Sequence, residues 1–309
     1  MDFGPYLLLA SLEGAVGAAV LALTALGLSL VFGVMRVVNV AHGEFFMLGA
    51  VLAWFIASQI GAHPALGFVA ALILAPALVG GLAASVDMTI LKRVSYDPER
   101  TIVATIGLLY IIQQVTLMTY GPDARPVEPP FNSRIALPWV EWGEDGWSLY
   151  YPWGLSTTTY KLFVIGAAVV MLIGVWLMMT RTKIGLIMRA TQADGDMAQA
   201  FGIPVDRVYA MVFGIGCGLA ALGAVLVVPI QQAHYLMGGD PLLLSFIVVI
   251  IGGLGSLPGT VIAALLIGMS DGIISVFFTP TLAKILATLL VAFVLVFRPH
   301  GLFGVPERA

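Results

Sequence analysis

Three polar residues lie close together inside a long apolar stretch: Asn39, His42 and Glu44, in the segment NVAHGE. A carboxylate without a partner costs at least a few kcal/mol in hydrocarbon, so Glu44 must be paired, protonated or close to water. Two interpretations stay open. The three groups cap the start of a helix, where an acid complements the helix dipole, or they line an aqueous pathway, and the two roles are compatible.

Other polar residues in apolar runs are candidates for the same pathway. Asp271 is the most costly of them to place in lipid, and its alternative role is a helix end that reaches the membrane interface. The predicted lining of a translocation pathway is Asn39, His42, Glu44, Gln113, Gln114, Ser256 and Asp271.

Sequence motifs for other chemistry are absent. The glycine-rich segment GGLGSLPGT at 252–260 has no lysine to meet a nucleotide phosphate, so we expect no ATP on this chain. His42 and Glu44 are two residues apart and point to different sides of a helix, which argues against a zinc site. No G-x-S-x-G motif supports a hydrolase. We therefore expect neither an enzyme, nor a cofactor or metal on this chain, nor a nucleic-acid partner.

Membrane-spanning helices are the elements that must position these residues. Hydrophobic residues make up 60% of the 309 and charged residues only 10%, against about a quarter in soluble domains. A crossing needs about 20 apolar residues. The charge-free windows are 14–35, 45–86, 101–122, 162–180, 208–239 and 241–270, and a last apolar segment covers 282–297. The longest windows are expected to break at His63-Pro64 and at glycines. The sequence therefore predicts an all-α polytopic protein with eight or nine helical segments in one domain over 1–309.

The lysines and arginines predict the orientation, because cytoplasmic loops are enriched in them. With alternating crossings from an outside N-terminus, ten fall on the inner side and four on the outer side, which also places the C-terminus inside. The inner ten are Arg36, Lys92, Arg93, Arg100, Arg181, Lys183, Arg189, Arg207, Arg298 and Arg308, and the outer four are Arg125, Arg134, Lys161 and Lys284. This orientation predicts a periplasmic loop at about 121–159 and a cytoplasmic loop at about 181–207.

Glycines mark places where helices are expected to break. Those at 33, 43, 252, 253, 255 and 259 allow the backbone to unwind beside a cavity, although close helix packing is the commoner use of each. Half-helices whose N-termini point at the midplane would attract an anionic group of a substrate. The piece 242–251 reaches only about 15 Å. A short crossing is favoured for it, and a re-entrant segment is the alternative.

The two loops offer surfaces for partners. The outer loop holds four tryptophans, Trp139, Trp142, Trp147 and Trp153, which mark either the membrane interface or a docking surface. In the inner loop an apolar stripe predicts one short amphipathic helix, closed by Gly202 and Pro204, that lies on a membrane or in a groove of a partner protein, and the partner groove is favoured. The stripe consists of Ala190, Ala193, Met197 and Phe201.

Four segments resemble one family, the LivH-type permease subunits of branched-chain amino acid ABC importers. GLSLVFGVMRVVNVAHGEFFMLGA at 27–50 carries its N-x-A-H-G-E core, and VATIGLLYIIQQ at 103–114 is similar to its fourth-helix segment. RATQADGDMAQAFGIPVDRV at 189–208 resembles the loop that contacts the ATPase. IGGLGSLPGTVIAALLIG, with VFRPHGLFG, resembles the C-terminal third. The likeness covers nearly the whole chain, although the outer loop is longer than the family pattern.

The resemblance implies a type II-like importer permease in the bacterial inner membrane. Its partners would be a homologous second permease, two ATP-binding cassette subunits that bind the ATP, and a periplasmic substrate-binding protein, all in the lipid bilayer or at its faces. Residues implied to couple to the ATPase are Arg189, Ala193, Asp194, Met197, Ala198, Phe201 and Gly202. The substrate is expected to be a branched-chain or related hydrophobic amino acid. Alternatives are urea, an amide or another small solute, or a self-sufficient channel or ion-coupled carrier.

Overall fold

The computed structural model describes residues 3–61, 63–143, 146–151, 156–298 and 301–303. Trp153 and Arg308, which the sequence analysis counted, lie outside these residues. The described part contains eleven α-helices and four short strands. They are α1 Phe3–Met35, α2 His42–Ile60, α3 Pro64–Thr89, α4 Pro98–Tyr120, β1 Arg134–Ala136, β2 Trp139–Gly143, β3 Gly146–Tyr150, β4 Ser156–Thr158, α5 Thr159–Arg181, α6 Lys183–Ala193, α7 Gly195–Ala200, α8 Val205–Gln231, α9 Gly239–Gly252, α10 Leu257–Phe277 and α11 Pro280–Phe297.

Nine apolar helices among the described residues agree with the eight or nine predicted segments. Seven of them, α1 to α5, α8 and α10, are long and apolar enough to cross a membrane, while α9 and α11 are shorter. The chain is therefore an all-α, multi-pass membrane protein. Its strands form two separate antiparallel pairs, β1 with β4 and the hairpin β2–β3.

The bundle has two distinct ends. The strand face carries the four strands and the start of α5, where Lys161 pairs with Glu13 of α1. The opposite short-helix face carries α6 and α7, and the Gln192 side chain of α6 reaches Gly33 near the end of α1. Nine of the ten arginines and lysines predicted to be cytoplasmic lie on the short-helix face, and the tenth, Arg308, is not described.

Helix α1 is the buried axis of the bundle, and glycines let its neighbours approach closely. A Cβ on Gly27 would overlap the carbonyl oxygen of Gly216 in α8, and one on Gly272 of α10 would overlap Gly14. Helix α10 runs antiparallel to α1 along its length. Gly272 meets Gly14 toward the strand face, and the Thr260 hydroxyl donates a hydrogen bond to Ser29 Oγ at 3.0 Å toward the short-helix face. Small residues serve this close packing in membranes, where no hydrophobic force drives helices together.

Helices α2 and α9 both begin halfway through the bundle. His42 Nε2 at the start of α2 lies 2.9 Å from the carbonyl oxygen of Thr24, which is about 15 Å along α1 from Gly14. The start of α9 lies at the same depth, since the backbones of Gly43 and Gly238 touch. From there α2 runs to the strand face and α9 runs to the short-helix face.

Residues 232–238, the return loop, bring the chain from the end of α8 on the strand face back to mid-depth. Together with the 14-residue α9, the loop completes one crossing, so 242–251 is part of a discontinuous span rather than a re-entrant segment. Consequently the end of α11 lies on the short-helix face. There the N–H groups of Leu302 and Phe303 donate to the carbonyl oxygens of Ile251 and Gly252 at 2.8 and 3.2 Å.

The predicted breaks at glycines are confirmed in one place and wrong in another. Gly253 and Gly255 have φ of 97° and 78°, values that favour glycine, and they form the turn between α9 and α10. Gly33 and Gly43 instead lie inside α1 and α2, where they pack against other backbones. The unwound stretch falls between them, at 36–41.

The predicted single amphipathic helix of the inner loop is wrong in its continuity. Asp194 is extended, with φ of −158° and ψ of 106°, and separates α6 from α7. Its side chain accepts a hydrogen bond from the N–H of Met197 at 2.9 Å, so it caps α7. The predicted helix end at Gly202 is confirmed, although the C-cap itself is Phe201: Gly202 follows it with φ of 86°, and the N–H of Ile203 donates to the Ala198 carbonyl.

Candidate functional site

A cavity of about 460 Å³ opens between α1, α8, α9 and α10 and reaches down to the mid-depth start of α9. Its size falls within the range of ligand-binding pockets. Most of its walls are apolar, and Thr24 and Gly239, which lie where the two half-helices begin, are among the residues that line it. The apolar lining consists of Val20, Leu21, Phe46, Val227, Leu236, Met237, Leu244 and Ile267.

Charged groups collect at the mouth of the cavity. Lys284 of α11 pairs with Asp240, in the first turn of α9, at 2.6 Å, and Asp271 of α10 lines the same opening. The Lys284 and Asp240 side chains are 42% and 67% exposed. A pair this exposed contributes little, so either charge can exchange its partner for a charged ligand group at small cost.

Asp271 is the predicted pathway residue that the structure places in this cavity. Asn39, His42 and Glu44 are buried and do not line it. Because a carbonyl oxygen only accepts, the Nε2 of His42 carries the proton it donates to Thr24, and Thr24 is itself a lining residue. His42 thus supports the wall of the cavity from behind.

Asn39 holds the unwound stretch together. Its Oδ1 accepts a hydrogen bond from the N–H of Ala41 at 3.1 Å, and its Nδ2 lies 3.6 Å from the Cys217 sulfur in α8. It therefore fixes the turn that leads into α2. Glu44 in the first turn of α2 keeps one oxygen, Oε2, without a hydrogen-bond partner among the described residues.

The remaining predicted pathway residues lie elsewhere. Gln113 and Gln114 are on α4, half-buried and exposed respectively, and neither lines the cavity. Ser256 caps α10 at the short-helix face, where its Oγ accepts a hydrogen bond from the N–H of Gly259 at 3.3 Å. The structure does not bring these three together with Asp271.

Several residues that line the cavity were not predicted from the sequence. The return loop was assigned to a continuous apolar window, so His234 and Met237 were not considered. A signal was present in the segment GGDP at 238–241, where an acid and a proline follow glycines as they do in a helix first turn. Lys284 was counted only for orientation.

The short-helix end of the same bundle is tightly packed. A Cβ on Gly255 would lie 2.9 Å from the Cα of Gly33, so the two backbones are in contact, and the amide of Gln192 lies beside both. Below this contact, Met197 and Phe201 are 57% and 83% exposed. Arg189, Ala193, Asp194 and Gly202 share that surface, whereas Ala198 is buried against the bundle.

A membrane bundle with a cavity between its helices and exposed short helices at one end fits a transport permease. The chain belongs to the family described as branched-chain amino acid transport system, permease component, whose model matches residues 11–295. It is thus a permease component of a transport system with further subunits.

Curated relatives match along almost their full length. The chain is 27% identical to the high-affinity branched-chain amino acid transport system permease protein BraD of Pseudomonas aeruginosa, over 93% of this chain and 92% of the relative. It is equally similar to the protein LivH of Escherichia coli, with the same coverage. A probable branched-chain amino acid permease of Methanocaldococcus jannaschii is 24% identical over 95% of this chain. No solved structure matches the chain.

Proposed function

We propose that this chain is the translocating subunit of an ATP-driven importer of branched-chain amino acids. Its strand face would lie on the periplasmic side of the inner membrane. The cavity is the observation that carries this proposal. Its deep walls are apolar, which suits the side chain of Leu, Ile or Val, and its mouth holds both charge signs. A zwitterionic amino acid needs a cation for its carboxylate and an anion for its ammonium group.

The distribution of positive charge supports the orientation. Nine described lysines and arginines lie at the short-helix face and four at the strand face, the asymmetry expected when the short-helix face is cytoplasmic. The cavity then opens to the periplasm, where a substrate-binding protein would deliver the amino acid. The hairpin β2–β3 and the neighbouring strand pair provide the landing surface.

The exposed apolar residues of α7 support an ATPase partner at the cytoplasmic end. Phe201 is 83% exposed, and a large aromatic side chain is more stable when it is buried in the groove of a docked subunit than when it is in contact with water. Two ATP-binding cassette subunits would bind there, one under this chain and one under a homologous second permease. The apolar outer faces of α3, α4 and α11 supply area for lipid and for that second permease.

The test is reconstitution of the complete transporter in liposomes with ATP inside. We expect ATP-dependent uptake of leucine, and we expect Phe201→Ala to weaken co-purification of the ATPase about 30-fold, the scale of a lost hot-spot contact. Leu186→Ala on α6 is the matched control, since Leu186 is 61% exposed but lies outside the proposed contact. Leucine uptake by this chain alone, without ATPase subunits, would contradict the proposal and favour a carrier.

A further inference from the structure

The return loop has few internal contacts that would hold its conformation. Gln232, where α8 ends, has φ of 67°, an uncommon value for a residue with a side chain. The loop has one internal backbone hydrogen bond among the described residues, from Met237 N–H to the His234 carbonyl at 3.2 Å. Irregular backbone at membrane depth persists only where protein or an aqueous cavity covers it. Something outside the loop must hold it.

A pair of backbone hydrogen bonds anchors the first half of the loop. The N–H of Arg125 donates to the Ala233 carbonyl at 2.8 Å, and the N–H of Ala233 donates back at 2.9 Å. The Tyr120 hydroxyl also donates to the Ala233 carbonyl, at 3.3 Å. Ala233 is completely buried in this contact. The loop is thus fastened to the segment that follows α4.

The Arg125 side chain in turn fixes that segment. Its guanidinium lies over the Trp54 ring of α2 at 4.4 Å and over the Tyr120 ring at 4.7 Å. One of its N–H groups donates to the Tyr120 carbonyl at 2.8 Å. A planar guanidinium can stack on two rings and donate in its own plane at the same time, which an ammonium cannot do.

These contacts link distant parts of the chain. Trp54 is on α2, Tyr120 ends α4, and Ala233 belongs to the loop whose later residues His234 and Met237 line the cavity. We propose that Arg125 is a positioning residue for import: through Ala233 it holds the return loop, and with it the cavity mouth, in the shape that accepts substrate. A partner that moves the segment after Tyr120 therefore moves the mouth of the cavity.

The test reads the position of the loop directly, in the purified full chain in detergent. The sole cysteine, Cys217, is replaced by alanine, and Met237→Cys, at a site only 6% exposed, reports by its rate of maleimide labelling. We expect Arg125→Gln to raise this rate about tenfold, as the loss of two ring contacts and a hydrogen bond would. Arg125→Lys is expected to restore it only in part. Arg134→Gln, an exposed arginine of β1, is the control and leaves the rate unchanged.

A second pair of variants keeps the proposal testable where Arg125→Gln does not fold. Trp54→Leu removes one ring under the guanidinium, while Trp54→Phe keeps a ring, so the first is expected to raise labelling and the second to preserve it. An unchanged rate in both Arg125→Gln and Trp54→Leu overturns the proposal. In the complete transporter, Arg125→Gln raises the KM for uptake more than it lowers the maximal rate. Labelling needs neither ATP nor substrate, so its outcome is separate from that of the proposed function.

Discussion

The two ends of this bundle are built differently. At the strand face, a cavity opens beside the Asp240–Lys284 pair, and the contacts of Arg125 hold the adjoining return loop. At the short-helix face, the backbones of Gly33 and Gly255 meet directly. Side-chain contacts loosen one at a time, whereas a backbone contact opens only when whole helices move. The difference predicts that the strand face responds to changes in single side chains, whereas the short-helix face responds only when helices move.

The largest effect is expected from a side chain at the backbone contact. Gly33→Val places its Cβ 3.0 Å from the Gly255 Cα, and overpacking of this kind costs about 1–3 kcal/mol, so we expect ATP-driven uptake to fall about 30-fold. Uptake by the complete transporter measures it, with membrane insertion checked in parallel.

The matched control for that change is Gly174→Val in α5, where an added Cβ meets nothing within 4 Å. It should leave uptake near the original value. Normal uptake with Gly33→Val would show that the short-helix end does not depend on backbone contact, and the contrast between the two ends would fail.

An intermediate effect is expected from the charged mouth. Asp271→Asn removes the anion proposed to meet the substrate ammonium group, and because the mouth is partly exposed the loss is modest, about a fivefold rise in KM for leucine. The concentration dependence of uptake measures it. Asp123→Asn, an exposed acid on the same face outside the cavity, provides the comparison. Equal effects of both changes would reduce the role of Asp271 to general surface charge.

The smallest effect is expected at the link between α6 and the short-helix end. Gln192→Ala removes an amide that packs beside Gly33 and Gly255. Because this contact is lost, we expect the ratio of leucine uptake to ATP hydrolysis to fall about twofold. Gln199→Ala, an exposed glutamine of α7, is the control. A ratio of uptake to hydrolysis that stays constant in Gln192→Ala would place the coupling contact elsewhere.

The number of helical segments could be predicted from the sequence because hydrocarbon thickness imposes a length on every crossing. The helix end at Gly202 was equally accessible, since a glycine followed by proline ends a helix by local sterics. The break at Asp194 was missed because the apolar stripe continued across it, although an aspartate before glycine is itself a capping signal.

The depth of a residue within the bundle could not be predicted from the sequence. The return loop lies in an apolar window that reads as a continuous helix, and its shape depends on contacts with Arg125 and Gly43, which are far away in the chain. For the same reason Gln113 and Asp271 were both predicted to line the pathway, as polar residues in apolar runs. Only the packing of α4 and α10 against other helices separates a residue beside the cavity from one outside it.

The bonds from Leu302 and Phe303 to the last carbonyls of α9 have a consequence for biogenesis. The last carbonyl groups of a helix need a partner, and for these two the partner is translated only after α10 and α11 have followed. The half-helix therefore cannot reach its final state before residues 302 and 303 have been made. A ribosome-bound chain stalled before Gly301 should expose the turn at Gly253 to proteases that the finished protein resists.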